Sequence, residues 1–148
     1  MSRSTTKMVS VVWAIIYQNG KYLMQLRDDI PNIVHPGVWG FFGGHMELGE
    51  SPETALKREL VEEINYLPPT INKFRTQQTE NCIRHMFSCP LTVPVSELEL
   101  NEGWDLKLVT PAEILQGYAY SKQAIANKPL GNIHQQIMLD YIKIIASK

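Results

Sequence analysis

Residues 44–66 read GHMELGESPETALKRELVEEINY, a helix with both of its ends marked. Ser51 suits the N-cap, Pro52 the first helical position, and Glu53 complements the positive end of the helix dipole. Asn65 tolerates the left-handed conformation that closes a helix, second only to glycine. Between these ends Leu56, Leu60 and Ile64 form an apolar stripe. At about 100° per residue, Glu59, Glu62 and Glu63 project within an arc of about 100°, with Glu63 beside that stripe. Like charges at i,i+3 and i,i+4 destabilise a bare helix by a few tenths of a kcal/mol per pair. Carboxylates gathered beside a core call for a cation. Oxygen donors without Cys or His suit Mg²⁺, with Mn²⁺ as the alternative, rather than Zn²⁺. Arg58, four residues before Glu62, is placed to pair with the acidic cluster or orient it.

Working outward, Trp39-Gly40-Phe41-Phe42-Gly43-Gly44 reads as a strand running into a bend, since paired glycines permit positive φ and close backbone approach. An Arg-Glu-x-x-Glu-Glu helix alone is most simply a solvated charged face. Gly44 and Glu50 standing ahead of Arg58, Glu59, Glu62 and Glu63 change that reading. With each residue type at about 6–7% of average composition, six such positions coincide roughly once in ten million registers. The spacing points to chemistry.

The rest of the chain supplies a frame for this helix. Residues 9–17 and 22–27 are β-rich and flank an Asn19-Gly20 hairpin signal. A loop with Pro31 and Pro36 covers 28–37. Residues 71–79 and 82–89 predict a second hairpin, and 91–95 and 106–109 further short strands. Thr110-Pro111 opens a short helix, and Ile133, Ile137, Tyr141 and Ile144 recur at helical spacing over 132–146. Strands, a central helix and a terminal helix predict an α/β fold with a mixed sheet between helices.

With 148 residues, 44% of them hydrophobic and 20% charged, the chain is expected to form a single domain, its core spanning about 8–146. A net charge of −1 gives no electrostatic case for binding a nucleic-acid polymer or an anionic membrane. No apolar run reaches the ~20 residues of a membrane span, and MSRSTTK lacks a signal-peptide stretch, so a cytoplasmic location is expected. Cys82 and Cys89 lie an odd number of residues apart in a predicted strand, on opposite faces, which argues against a disulfide or zinc site.

The fixed spacing resembles the Nudix box, G-x5-E-x7-R-E-U-x-E-E-x-G-U with U aliphatic, with Asn65 in place of the last glycine. The resemblance covers roughly residues 8–146. It implies an α/β/α sandwich and a Mg²⁺-dependent hydrolase that cuts a nucleoside diphosphate linked to another group. It also implies Glu59, Glu62 and Glu63 as metal ligands, joined by the Gly43 carbonyl, with Glu50 supporting loop and helix. Phe42 stands where the family often has proline. A general base comes from Glu59, Glu62, Glu63 or a carboxylate outside the box; Glu102 is the best outside candidate, ahead of Glu97 and Glu99. Arg27 is expected to face substrate phosphates, with Arg84 as a second candidate, and His45 follows the glycine pair. Gly44 is expected to border the substrate. For the base, Trp13, Tyr17, Trp39, Phe41 and Trp104 are candidate aromatic platforms, Trp39 being the one beside the glycine loop.

The compact chain and its Trp-Gly-x-x-Gly-Gly run resemble the branch that hydrolyses nucleoside triphosphates, oxidised ones included, to monophosphate and pyrophosphate. Nucleotide sugars and ADP-ribose are the rival substrates. A nucleotide-sensing Nudix domain without catalysis is the alternative of another class, though such domains usually lose box carboxylates that this chain keeps. The partner expected is a small nucleotide, and the oligomeric state stays open, a homodimer included.

Overall fold

The computed structural model describes residues 8–28 and 37–148. Asn19 and Gly20, at φ 52° and 76°, supply the two left-handed positions of a type I′ turn. That turn joins β1 (Val9–Gln18) to β2 (Lys21–Leu26), setting Tyr17 opposite Tyr22. The two strands then part, and the segment expected to be one strand fills the gap by changing partners at Phe41. β3 (Trp39–Gly40) pairs with β2, and β4 (Phe42–His45) pairs with β1. The proline loop expected over 28–37 lies outside the described residues except for its two ends.

α1 (Pro52–Ile64) has the ends its sequence predicts. The Ser51 hydroxyl accepts from the Thr54 N–H at 3.2 Å, and Asn65 closes the helix at φ 53°. Tyr66 is a second departure from the box pattern, an aromatic at its closing aliphatic position. Its ring is buried and its hydroxyl donates to the Pro90 carbonyl at 2.7 Å, so the larger side chain is accommodated.

β5 (Asn72–Gln78) and β6 (Cys82–Pro90) form the second hairpin. Cys89 is buried on one face of β6, and Cys82 is half-buried on the other. The strand expected over 91–95 does not form. There the Leu91 and Val93 carbonyls accept from the Gln18 side chain instead of joining a ladder, and a 3-10 turn follows at Val95–Glu97. β7 (Asp105–Val109) leads into α2 (Pro111–Gln116), which Thr110 and Glu113 open with a reciprocal capping box. A hairpin not foreseen, β8 (Tyr118–Ser121) with β9 (Ala126–Pro129), precedes α3 (Asn132–Ala146).

The main sheet runs β3-β2-β1-β6-β5, with β4 added to β1 and β7 to β2. β1 and β6 are parallel and the remaining pairs antiparallel, so the sheet is mixed. Val12, Ala14, Ile16 and Leu23 pack beneath Leu56, Leu60 and Ile64 of α1. Ile15, Met24, Leu26 and Met86 pack on the opposite face against Ile114 of α2 and Ile137 and Met138 of α3. The architecture is an α/β/α sandwich. The buried face of α3 runs through His134, Ile137, Met138 and Tyr141, so the apolar stripe expected through Ile133 and Ile144 is turned, placing a histidine inside. No helix among the described residues is long and apolar enough to cross a membrane.

Candidate active site

The carboxylate cluster is assembled by Arg58. Its Nε and Nη2 donate to both oxygens of Glu50, at 2.7 and 3.0 Å. Nη2 also donates to the His45 carbonyl at 3.1 Å, and Nη1 to Glu59 at 3.1 Å and Glu62 at 3.3 Å. Glu50 in turn accepts from the Glu47 N–H at 2.7 Å. The fork therefore locks the loop after β4 to the first half of α1, and this explains the fixed distance between Glu50 and Arg58. Hydrogen bonding to Arg58 holds Glu50 below the usual carboxylate range, and the same bond raises the guanidinium further.

Glu63 is 4% exposed, and its Oε1 accepts from the Gly43 N–H at 2.9 Å. Burial, then the charge of Glu59, pushes its carboxyl up to about 9 against that hydrogen bond. Burial likewise raises Glu59, although Arg58 opposes it. A Cβ on Gly44 would lie 2.7 Å from the Glu59 carboxylate, so the missing side chain makes room for that group. Glu62 is the outlying member: its side chain is 56% exposed and it pairs with Arg58.

Glu102 joins the cluster through its neighbours. The Asn101 N–H donates to the Glu63 carbonyl at 2.9 Å, and the Asn101 side chain to the Glu62 carbonyl at 3.0 Å. On the other side the Trp104 N–H donates to the Leu26 carbonyl at 2.8 Å. The loop is tied to the end of α1 and to β2, and the charge of Glu102 raises both Glu59 and Glu63. Glu97 sits in the 3-10 turn, and neither it nor Glu99 borders the cavity.

A cavity of about 530 Å³ opens on this cluster. Glu59, Glu63, Glu102, Gly43, Gly44 and Arg27 line one part of it, where Arg27 lowers Glu63 by its charge. Trp13, Phe41, Arg84 and His134 line it as well, grouped around the Trp13 ring. His45 borders it as well. Trp39 does not: it is fully buried, and its indole N–H donates to the Ala119 carbonyl at 3.1 Å. The expectation that Trp39 touches substrate is corrected by this packing. Tyr17 and Trp104 do not line the cavity either, whereas Trp13 and Phe41 do.

His134 went unrecognised in the sequence. Its Nδ1 accepts from the Phe41 N–H at 3.2 Å, and its ring packs 4.6 Å from the Trp13 ring and 5.0 Å from that of Phe41. The available signal was its place in the i, i+3, i+4, i+7 pattern with Ile137, Met138 and Tyr141.

Among the described residues no three His, Cys, Asp or Glu side chains are gathered as a ready ligand shell, with Arg58 engaging Glu59 and Glu62. The donor set nonetheless fits a hard divalent cation. A buried carboxylate raised by its own burial and by a second carboxylate is a site that positive charge would stabilise.

Residues 7–128 match the NUDIX domain family model. The CTP pyrophosphohydrolase of Escherichia coli K12 is 32% identical over 113 residues, 74% of this chain and 82% of that protein. The nucleoside triphosphatase NudI of Enterobacter sp. strain 638 is 45% identical over 56 residues, 37% of this chain and 38% of that protein. The solution structure of the E. coli ORF135 protein superposes with a TM-score of 0.69 at 26% identity, covering 97% of this chain and 95% of that one.

Proposed function

The chain belongs to the Nudix family of hydrolases, and we propose that it hydrolyses a nucleoside triphosphate to the monophosphate and pyrophosphate with Mg²⁺. The observation that carries this reading is the facing of Glu59, Glu63 and Glu102 onto one cavity that also holds Arg27. The identity to a CTP pyrophosphohydrolase over most of both chains supports the triphosphate class.

Glu59, Glu62, Glu63 and the Gly43 carbonyl are the proposed metal-holding groups. These groups would hold a divalent ion, which would neutralise phosphate charge and lower the pKa of water at the site. Arg27 binds phosphate oxygens from the β2 side. Gly44 lets the substrate approach the backbone. Arg58 holds Glu59 and Glu62 in place without touching substrate. Glu102 is the proposed general base, held on a loop that Asn101 pins to α1.

The substrate class is tested with Mg²⁺ and a panel of the four common ribonucleoside triphosphates, 8-oxo-dGTP, ADP-ribose, nucleotide sugars and dinucleoside polyphosphates. The expected outcome is highest kcat/KM among the triphosphates. Preferential cleavage of ADP-ribose or a nucleotide sugar would replace that reading.

Glu63 also makes metal-free stability depend on pH. Its folded-state value lies above the usual carboxylate range, so its contribution is fully present below about 4.5 and is lost as pH rises toward about 9. The metal-free protein should therefore melt at lower temperature at pH 8.5 than at pH 5.5. The fall should be on the order of 5 °C larger in wild type than in Glu63→Gln. Added Mg²⁺ should raise the wild-type Tm more at the higher pH, because the ion competes with a proton. Equal pH slopes for the two proteins would contradict the assignment.

A further inference from the structure

Arg84 is the cation of this cavity that the hydrolytic reading leaves unused. Its guanidinium carbon lies over the Trp13 ring, 5.6 Å from the centroid. Among the described residues it makes no ion pair and no side-chain hydrogen bond. A half-buried guanidinium with an aromatic partner but no acceptor among the described residues has its five N–H donors to offer a ligand.

The sheet decides what that acceptor is. Arg84 lies across from Val11 on β1 and Gln77 on β5, and its side chain rests on Trp13. Trp13 packs against the cluster under α2 and α3. Glu59 and Glu63 rise from α1 on the opposite face, and the arginine whose charge bears on Glu63 is Arg27. The two arginines thus have different neighbours in one cavity: Arg27 acts by its charge on Glu63, and Arg84 lies over Trp13, which itself packs against Phe41 and His134. With the phosphates drawn to the carboxylate part, the aromatic part is left for the base.

Resting on the nucleotide reading above, we infer that Arg84, lying over Trp13, selects the base by a two-pronged hydrogen bond to two neighbouring acceptors. Cytosine offers such a pair in N3 and O2, and guanine in N7 and O6. Adenine sets its amino group beside both N1 and N7, and uracil sets N3–H between its carbonyls. The pocket therefore favours cytosine and guanine nucleotides over adenine and uracil ones.

The test measures kcat/KM for CTP, GTP, ATP and UTP with wild type, Arg84→Lys and Arg84→Gln. Calorimetric binding of the same four nucleotides is measured with and without Arg84→Lys on the Glu62→Gln background. Wild type is expected to favour CTP and GTP over ATP and UTP by about 10-fold or more, as one good bidentate pair provides. Both variants are expected to bring the four within about 3-fold of one another, since lysine keeps the charge and loses the fork. An equal loss for all four substrates, rescued by lysine, would make Arg84 a phosphate ligand and overturn the inference. Unchanged ratios would make it a surface arginine and overturn it as well. Absence of hydrolysis by wild type would defeat the hydrolytic reading alone. The binding series then decides: Arg84-dependent preference for CTP and GTP sustains the base-selecting role, and binding without preference, or no binding, ends it.

Discussion

Glu62→Gln is expected to fold like wild type and to lose at least about 100-fold in turnover. Folding should survive because the Glu62 side chain is 56% exposed and its partner is Arg58, which keeps Glu50 and Glu59. An exposed ion pair of this kind contributes little stability. Turnover should not survive, because a neutral amide replaces one of the charged groups proposed to hold the metal against the substrate phosphates. A factor of 100 corresponds to about 2.7 kcal/mol of transition-state stabilisation, a usual size for losing one electrostatic element of an active site. Melting temperature and kcat measured on the same preparation check both halves. A near-wild-type rate would remove Glu62 from the ligand set.

Alanine at Gly43 and at Gly44 should fail in different ways. Gly43 sits at φ 141°, and a Cβ there would lie 1.9 Å from the Val12 carbonyl oxygen. That oxygen is backbone in the strand that Gly43 pairs with, so neither side yields without breaking the β1–β4 ladder. Gly43→Ala should cost more than about 3 kcal/mol and lower the Tm by about 10 °C or fail to fold. At Gly44 the atoms nearest the Cβ are the far end of the Glu59 side chain. Gly44→Ala should keep its Tm within a few degrees while activity falls by roughly 10-fold or more, because Glu59 is pushed from its place. Circular dichroism melts beside kcat distinguish the two. A stable, active Gly43→Ala would contradict the close packing of β1 on β4, and an active Gly44→Ala would contradict the role of Glu59.

What was legible in the sequence was local. Ser51, Pro52 and Asn65 mark α1 to the residue, and Asn19-Gly20 marks its hairpin, because capping and left-handed turns depend on a few adjacent residues. The burial of Glu63 followed from its place beside the stripe of Leu56, Leu60 and Ile64. What depended on distant partners was not legible. No local feature told Trp39 to donate its indole N–H to Ala119, or Phe41 to mark the change of partner from β2 to β1. Over 91–95, where a strand is expected, two carbonyls accept instead from a single glutamine on β1. The β8–β9 hairpin did leave a trace, the alternation Tyr118-Ala119-Tyr120-Ser121, with exposed tyrosines and a buried alanine and serine. Glu102 could be suspected from its region, but the hydrogen bonds of Asn101 to the end of α1 bring it to the cavity. From sequence Arg84 is only a second candidate for the phosphates; its place over Trp13 is visible once β6 is seen beside β1.

The most direct test of a metal-dependent pyrophosphohydrolase is the product balance from CTP, measured by separate assays for pyrophosphate and orthophosphate with Mg²⁺ and again with excess chelator. CMP and pyrophosphate in equal amounts, both abolished by the chelator, are the predicted result. CDP with orthophosphate, or cleavage that continues without the metal, would contradict it.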